Sequence, residues 1–214
     1  MGCALVALTV VGCGTPRRPT EPHPLPTAGT VEELAAAIAA DAKRSDRESD
    51  SKIRSELAAE ASRNAAACLT REPQAAACLY GRAVALGLEA RAHPTRASEL
   101  LKTMLNSLAD AEVADPNYDE AGPARTRALV LIRAPGWPLG PGDAEAGLVA
   151  ARRAVTLRPQ YPPNLLALAE ALAKTGDSNG ARESYAHARA LAQALPATPN
   201  RDDWLREADE ALRR

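Results

Sequence analysis

Residues 154–188 constrain the fold most strongly, because they contain two amphipathic helical patterns with a short break between them. Apolar residues recur at spacings of three and four, which places them on one face of a helix. In the first pattern they are Leu165, Leu168, Ala169 and Leu172, and in the second Ala181, Tyr185 and Ala188. Gly176 favours the end of the first helix, and Asp177 favours the N-cap of the second. The stretch therefore predicts an antiparallel helical hairpin.

The spacing of these apolar positions resembles that of a tetratricopeptide repeat. Gln193 stands where the repeat has its closing proline, and Pro196 comes three residues later. A second copy is indicated by the pattern A-x4-P-x-Y, which begins at Ala111 and again, 43 residues later, at Ala154. Because a bare repeat has a period of about 34 residues, we attribute the excess to an insertion at residues 133–143. The alternative interpretation is two unrelated helical hairpins.

Composition favours the same class of fold. Hydrophobic residues make up 46% of the 214 residues, which is enough for a core, and many of them are alanines that let helices pack closely. We predict an all-α domain over residues 31–214, with about 8–9 helices in tetratricopeptide-like antiparallel pairs that form a right-handed superhelix. The amphipathic pattern at residues 201–213 would cap the stack. The net charge is −1 and no basic stripe stands out, which argues against nucleic acid as a partner.

The N-terminal residues resemble a bacterial lipoprotein signal peptide, predicted over residues 1–13. A short apolar run ends in Val-Val-Gly-Cys13, where the small residue permits cleavage and the Cys13 thiol is acylated. The run is too short to span a bilayer. No Lys or Arg precedes it, where such signals carry basic residues, so we expect that the start codon lies upstream. The alternative is a buried apolar segment.

A proline-rich segment follows the predicted signal. Five prolines between residues 16 and 26 forbid helix and favour extended polyproline II, so we predict a tether over residues 14–30. The lipoprotein resemblance implies a lipid-anchored protein of the bacterial cell envelope. Because Gly14, and not Asp, follows Cys13, the outer membrane facing the periplasm is the expected location.

Two further cysteines flank a predicted turn between helices. Cys68 and Cys78 form an even pair in a compartment that is expected to be oxidising. Pro73, between them, is expected at the first position of the second helix, and an antiparallel hairpin would bring the two thiols together. We predict a disulfide, and the alternative is two free buried thiols.

No catalytic set emerges from the sequence. His23, His93 and His187 have no evident nucleophile or metal partner, and phosphate-binding glycine loops are not found. The glycines of residues 136–142 alternate with prolines, which lack the N–H donors that a phosphate cradle needs. We therefore expect no enzymatic activity, no metal site and no cofactor.

Trp137 lies at the centre of the insertion at residues 133–143, among three prolines and three glycines. One interpretation is that Trp137 fills the gap left by the longer connection. The other is that the loop folds over the groove of the repeats and helps to form a ligand or partner site. Aromatic residues make up only 3% of the chain, which makes Tyr80 a further candidate.

Three more candidates, Leu166, Glu170 and Arg127, come from the repeat frame, in which the first helix of each pair lines a concave groove. On this frame Leu166 and Glu170 face inward in the last repeat. Their equivalents in the preceding copy are Pro123 and Arg127. We expect Arg127 and Glu170 either to pair with each other or to contact a ligand.

Three runs of sequence are similar to the T-component proteins associated with TRAP transporters. They are ACLYGRAVALGLEA, DPNYDEAGPARTRALVLIRAPGWPLGPGD and RPQYPPNLLALAEAL, and the similarity covers roughly residues 60–213. The resemblance implies an all-α superhelical lipoprotein, a trimeric assembly, and partnership with a periplasmic solute-binding protein that delivers small organic acids or other apolar ligands. We expect a protein that docks this partner and holds a small ligand. The alternative is a general envelope scaffold that binds peptides in its groove.

Overall fold

The computed structural model describes residues 29–213, and over this range the chain is all-α. The helices are α1 (Val31–Arg47), α2 (Ser51–Arg71), α3 (Ala76–Ala92), α4 (Ala97–Ala114), α5 (Tyr118–Arg133), α6 (Ala144–Leu157), α7 (Pro162–Lys174), α8 (Ser178–Ala194) and α9 (Pro199–Leu212). Nine helices in the described range confirm the predicted class and the expected 8–9 helices. The predicted signal with Cys13, and the tether up to residue 28, lie outside the described residues.

The helices form two layers. Each helix packs against the next one along the chain, and the odd-numbered helices also pack against one another, from α1 on α3 to α7 on α9. Within residues 29–213, no two even-numbered helices pack together in this way. Because only the odd-numbered layer has such lateral contacts, it lies on the inner side of a curved array. Right-handed superhelical winding and membership of the tetratricopeptide class stay predictions.

Side-chain caps define several helix starts, and the cap at Asp177 lies where the sequence predicts it. At α1, the Glu33 amide donates to the Thr30 hydroxyl over 3.3 Å, and the Thr30 amide donates to the Glu33 carboxylate over 2.7 Å. Asp177 caps α8 through the Gly180 amide, and Gly176 before it has a φ of +93°, which a side chain would disfavour. None of the helices in residues 29–213 is long and apolar enough to cross a membrane.

The first hairpin carries a disulfide. Cys68 on α2 and Cys78 on α3 are bonded, with the sulfur atoms 2.04 Å apart, and both side chains are fully buried against Val31 and Leu34 of α1. The expected position of Pro73 is wrong, because Pro73 lies in the turn and α3 starts at Ala76. Cys78 therefore lies in the first turn of α3, directly opposite the last turns of α2.

The disulfide is expected to stabilise the fold by restricting the unfolded chain. Replacing Cys68 and Cys78 together by alanine should lower the free energy of unfolding by about 2–3 kcal/mol. Urea unfolding followed by far-UV circular dichroism measures this. As a control, dithiothreitol should lower the stability of the wild type by a similar amount and leave the double variant unchanged. A wild type that is insensitive to reduction would contradict the prediction.

Candidate functional site

The loop between α5 and α6 has a fixed backbone. The Gly142 amide donates to the Pro135 carbonyl over 2.8 Å, and the Asp143 amide donates to the Leu131 carbonyl over 2.9 Å. A Cβ atom at Gly142 would collide with the carbonyl oxygen of Ala134, so this position requires glycine. Asp143 then caps α6 by accepting from the Ala146 amide over 2.9 Å. Both ends of the loop are thus tied to the helices beside it.

Two large apolar side chains project from this loop into solvent. Trp137 is 90% exposed and Leu139 is 76% exposed. The interpretation in which Trp137 fills a gap is therefore wrong. The reason is that backbone hydrogen bonds, and not side-chain packing, hold the loop together. An exposed tryptophan beside an exposed leucine is a feature of interaction surfaces rather than of cores.

Glu170 is paired, but with a different arginine from the one expected. Arg133 donates to it through Nε over 2.8 Å and through Nη2 over 2.6 Å, which is the bidentate geometry of a strong arginine–carboxylate pair. Glu207 of α9 lies beside this pair. Burial of its carboxylate raises the pKa of Glu207. The positive charge of Arg133 lowers this pKa, and the negative charge of Glu170 raises it further. The carboxylates of Glu170 and Glu207 thus both lie near the guanidinium of Arg133.

Arg127 does not reach Glu170, because α5 and α7 differ in register. α7 begins directly after Tyr161, whereas after Tyr118 the chain first makes a left-handed turn at residues 119–121. The offset of 43 residues that relates Tyr118 to Tyr161 therefore does not relate the residues of α5 to those of α7. As a result, Arg127 points into a cleft between α4 and α6.

Leu166 belongs to the core and not to an open groove. It is 4% exposed and packs with Leu165, Ala188 and Ala208. The terminal helix α9, which carries Ala208, covers this face of α7. The expectation that Leu166 contacts a ligand is therefore wrong.

Tyr80 is half-buried at the junction between α3 and α5. Its hydroxyl lies 2.9 Å from the Thr126 hydroxyl, and its ring packs edge-on against Tyr118 with 5.6 Å between centroids. Burial raises the pKa of the Tyr80 hydroxyl. Both its ring and its hydroxyl are engaged by α5, so the structure gives Tyr80 a role in joining these helices.

Sequence reasoning missed a polar cluster at the start of α7. Asn164 is fully buried, and its side-chain nitrogen donates to three backbone carbonyls over 3.1–3.2 Å. These carbonyls belong to Glu120, Ala154 and Arg158. The side-chain oxygen accepts from Arg125 over 3.1 Å. One amide thereby joins α5, the end of α6 and α7.

Arg125 completes this cluster by holding the left-handed turn. Asp119, Glu120 and Ala121 have φ values of 47°, 55° and 64°, which are unfavourable for residues other than glycine. Arg125 donates to the carbonyls of Asp119 and Glu120 over 3.2 and 3.1 Å, and it pairs with the Asp119 carboxylate over 2.8 Å. Its guanidinium also lies over the ring of Tyr161, 5.2 Å from the centroid. These contacts offset the backbone strain.

The comparisons with known proteins leave the family open: no protein-family model matches the chain, and no curated protein matches it. Within residues 29–213, no group of three or more His, Cys, Asp or Glu side chains is arranged to hold a metal ion.

Asn164 is expected to be essential for stability. Asn164→Ala would remove four hydrogen bonds that join α5, α6 and α7 and would leave a cavity at a fully buried position, so we expect a loss of about 2–4 kcal/mol in the free energy of unfolding. Urea unfolding measures this. The matched control is Asn106→Ala, which removes an exposed asparagine from α4 and should leave stability within about 0.5 kcal/mol of the wild type.

The raised pKa of Glu207 predicts the sign of a pH dependence of stability. A raised pKa in the folded state means that the protonated form stabilises the fold, and that this contribution is lost as the pH rises through the folded pKa. Glu207→Gln removes the titration, so the variant should gain stability relative to the wild type between about pH 4 and pH 7. Because solvent still reaches the carboxylate, we expect a gain below about 1 kcal/mol. A difference that stays constant over this range would contradict the assignment.

Proposed function

We propose that the protein is a non-catalytic docking component of a TRAP-type solute transporter. In this proposal it is anchored through acylated Cys13 to the outer membrane, facing the periplasm, and binds a periplasmic solute-binding protein. Its partner-binding surface is the loop of residues 134–143. The observation that carries the proposal is the pair of exposed apolar side chains, Trp137 and Leu139, on a loop with a fixed backbone.

Physical chemistry supports docking at this loop. Tryptophan is enriched among the residues that supply most of the energy of protein interfaces. A loop that is already fixed in one conformation loses little entropy on binding, so more of the contact energy remains as affinity. Hydrogen bonds to Pro135 and Leu131 provide that order in the free protein.

A general envelope scaffold that binds extended peptides is the second candidate. It would need an inner layer that is open along its length. The ion pair between Arg47 of α1 and Asp203 of α9, 3.7 Å apart, supports the docking proposal instead. This contact joins the first and last helices of the array, which reduces the space for a peptide between them.

The docking proposal is tested by affinity purification from the native envelope in mild detergent, with a tag after Arg214 and mass spectrometry of the bound proteins. We expect a solute-binding protein as the main partner. Replacing both Trp137 and Leu139 by alanine should reduce its recovery at least tenfold, since such residues contribute about 2 kcal/mol or more. Val113→Ala, which removes an 87% exposed side chain from α4, is the matched control and should bind like the wild type.

Other results of this experiment would count against the proposal. Recovery of cell-wall or assembly enzymes in place of a solute-binding protein would favour the scaffold. Recovery of the chain alone would contradict docking to a solute-binding protein and direct attention to self-association, such as the trimer that the resemblance to T-component proteins implies.

A further inference from the structure

A cleft of about 390 Å³ lies between α4 and α6 on the outer layer, away from the pair of Arg133 and Glu170. The backbones of α4 and α6 do not pack against each other, so α5 forms the floor between them. The lining residues are Glu112, Arg127, Ala146, Val149, Ala150 and Arg153. The volume falls within the range of about 300–1,000 Å³ that is usual for small-ligand sites.

The charges in this cleft leave one guanidinium available. Arg153 of α6 pairs with Glu112 of α4, with 3.4 Å between Nε and Oε1. Arg127 comes from the floor and is half-buried, and its guanidinium makes no hydrogen bond or ion pair with any other residue of the described range 29–213. The lining therefore has a net charge of one positive unit, and the group that carries it is directed into the cleft.

The shape and chemistry of the lining define the ligand. A guanidinium presents two parallel N–H groups, which match the two oxygens of a carboxylate. Glu112 disfavours a multiply charged anion such as phosphate, because its own carboxylate lies in the same wall. Ala146, Val149 and Ala150 form a small aliphatic wall on α6, and the Val149 side chain is 68% exposed. A single carboxylate on a short aliphatic group satisfies all three features.

We propose that the cleft between α4 and α6 binds one carboxylate carried on a short aliphatic group, with Arg127 as the anion-binding residue. The carboxylate belongs either to a free acid or to an acidic side chain of a bound peptide. This inference goes beyond the docking function and does not rest on it, since the cleft lies on helices and not on the loop that carries Trp137.

Saturation-transfer NMR with the full chain in mild detergent tests the proposal. The two probes are butyrate and the peptide acetyl-Val-Glu-Val-amide, with butyramide and the Val-Gln-Val peptide as neutral counterparts. We expect a carboxylate probe to bind, and its neutral counterpart to bind at least tenfold more weakly. Binding of butyrate identifies a free acid as the source, whereas binding of the acidic peptide alone identifies an acidic segment.

Three variants separate anion binding from general structure. Arg127→Gln should lower the affinity for the carboxylate probe at least tenfold. Arg127→Lys keeps the charge and loses the parallel N–H groups, so its affinity for the probe should lie between those of Arg127→Gln and the wild type. Arg152→Gln removes an exposed arginine from α6 outside the cleft and should bind like the wild type.

The proposal is overturned if neither carboxylate probe binds, or if the neutral counterparts bind as well as the carboxylates. It is also overturned if Arg127→Gln and Arg152→Gln weaken binding equally, because the effect would then come from net charge. Circular dichroism of each variant shows whether the fold is intact, and a folded Arg127→Gln variant that retains full affinity excludes Arg127 as the anion-binding residue.

Discussion

The buried amide of Asn164 is the interaction on which the C-terminal half of the structure depends. It bonds to backbone carbonyls of the left-handed turn at the start of α5 and of the end of α6, and it accepts from Arg125. Together Asn164 and Arg125 stabilise a turn that would otherwise be unfavourable. That turn sets the register of α5. The register in turn places Arg133 against Glu170 and directs Arg127 between α4 and α6.

The fold could be predicted from the sequence because its signals are local. Apolar spacing determines the hairpin of α7 and α8, and Asp177 caps the helix that it was expected to start. A short loop between two helices was enough to predict the pairing of Cys68 with Cys78. Each of these features depends on residues only a few positions apart in the chain. Helix propensities and capping interactions act over the same short range.

The candidate site was harder to predict because its geometry depends on contacts between residues that are far apart in the chain. Glu120 and Ala121 give no sequence signal for a left-handed turn, so the shift in α5 was missed and Arg127 was paired with the wrong residue. Leu166 was placed in a groove because the position of α9 against α7 is a tertiary contact. Asn164 did carry a signal, since it is a polar residue beside the apolar run at 165–169, but its partners are 6 to 44 residues away.

The disulfide also has a mechanical consequence. Val31, at the start of α1, packs directly on the bonded pair Cys68 and Cys78. A pull on the chain from the side of residue 29 would act first on α1, which packs non-covalently against this covalently closed hairpin. Unravelling from this end would extend the chain as far as Cys68, and the bond to Cys78 prevents residues 69–77 from adding to its length.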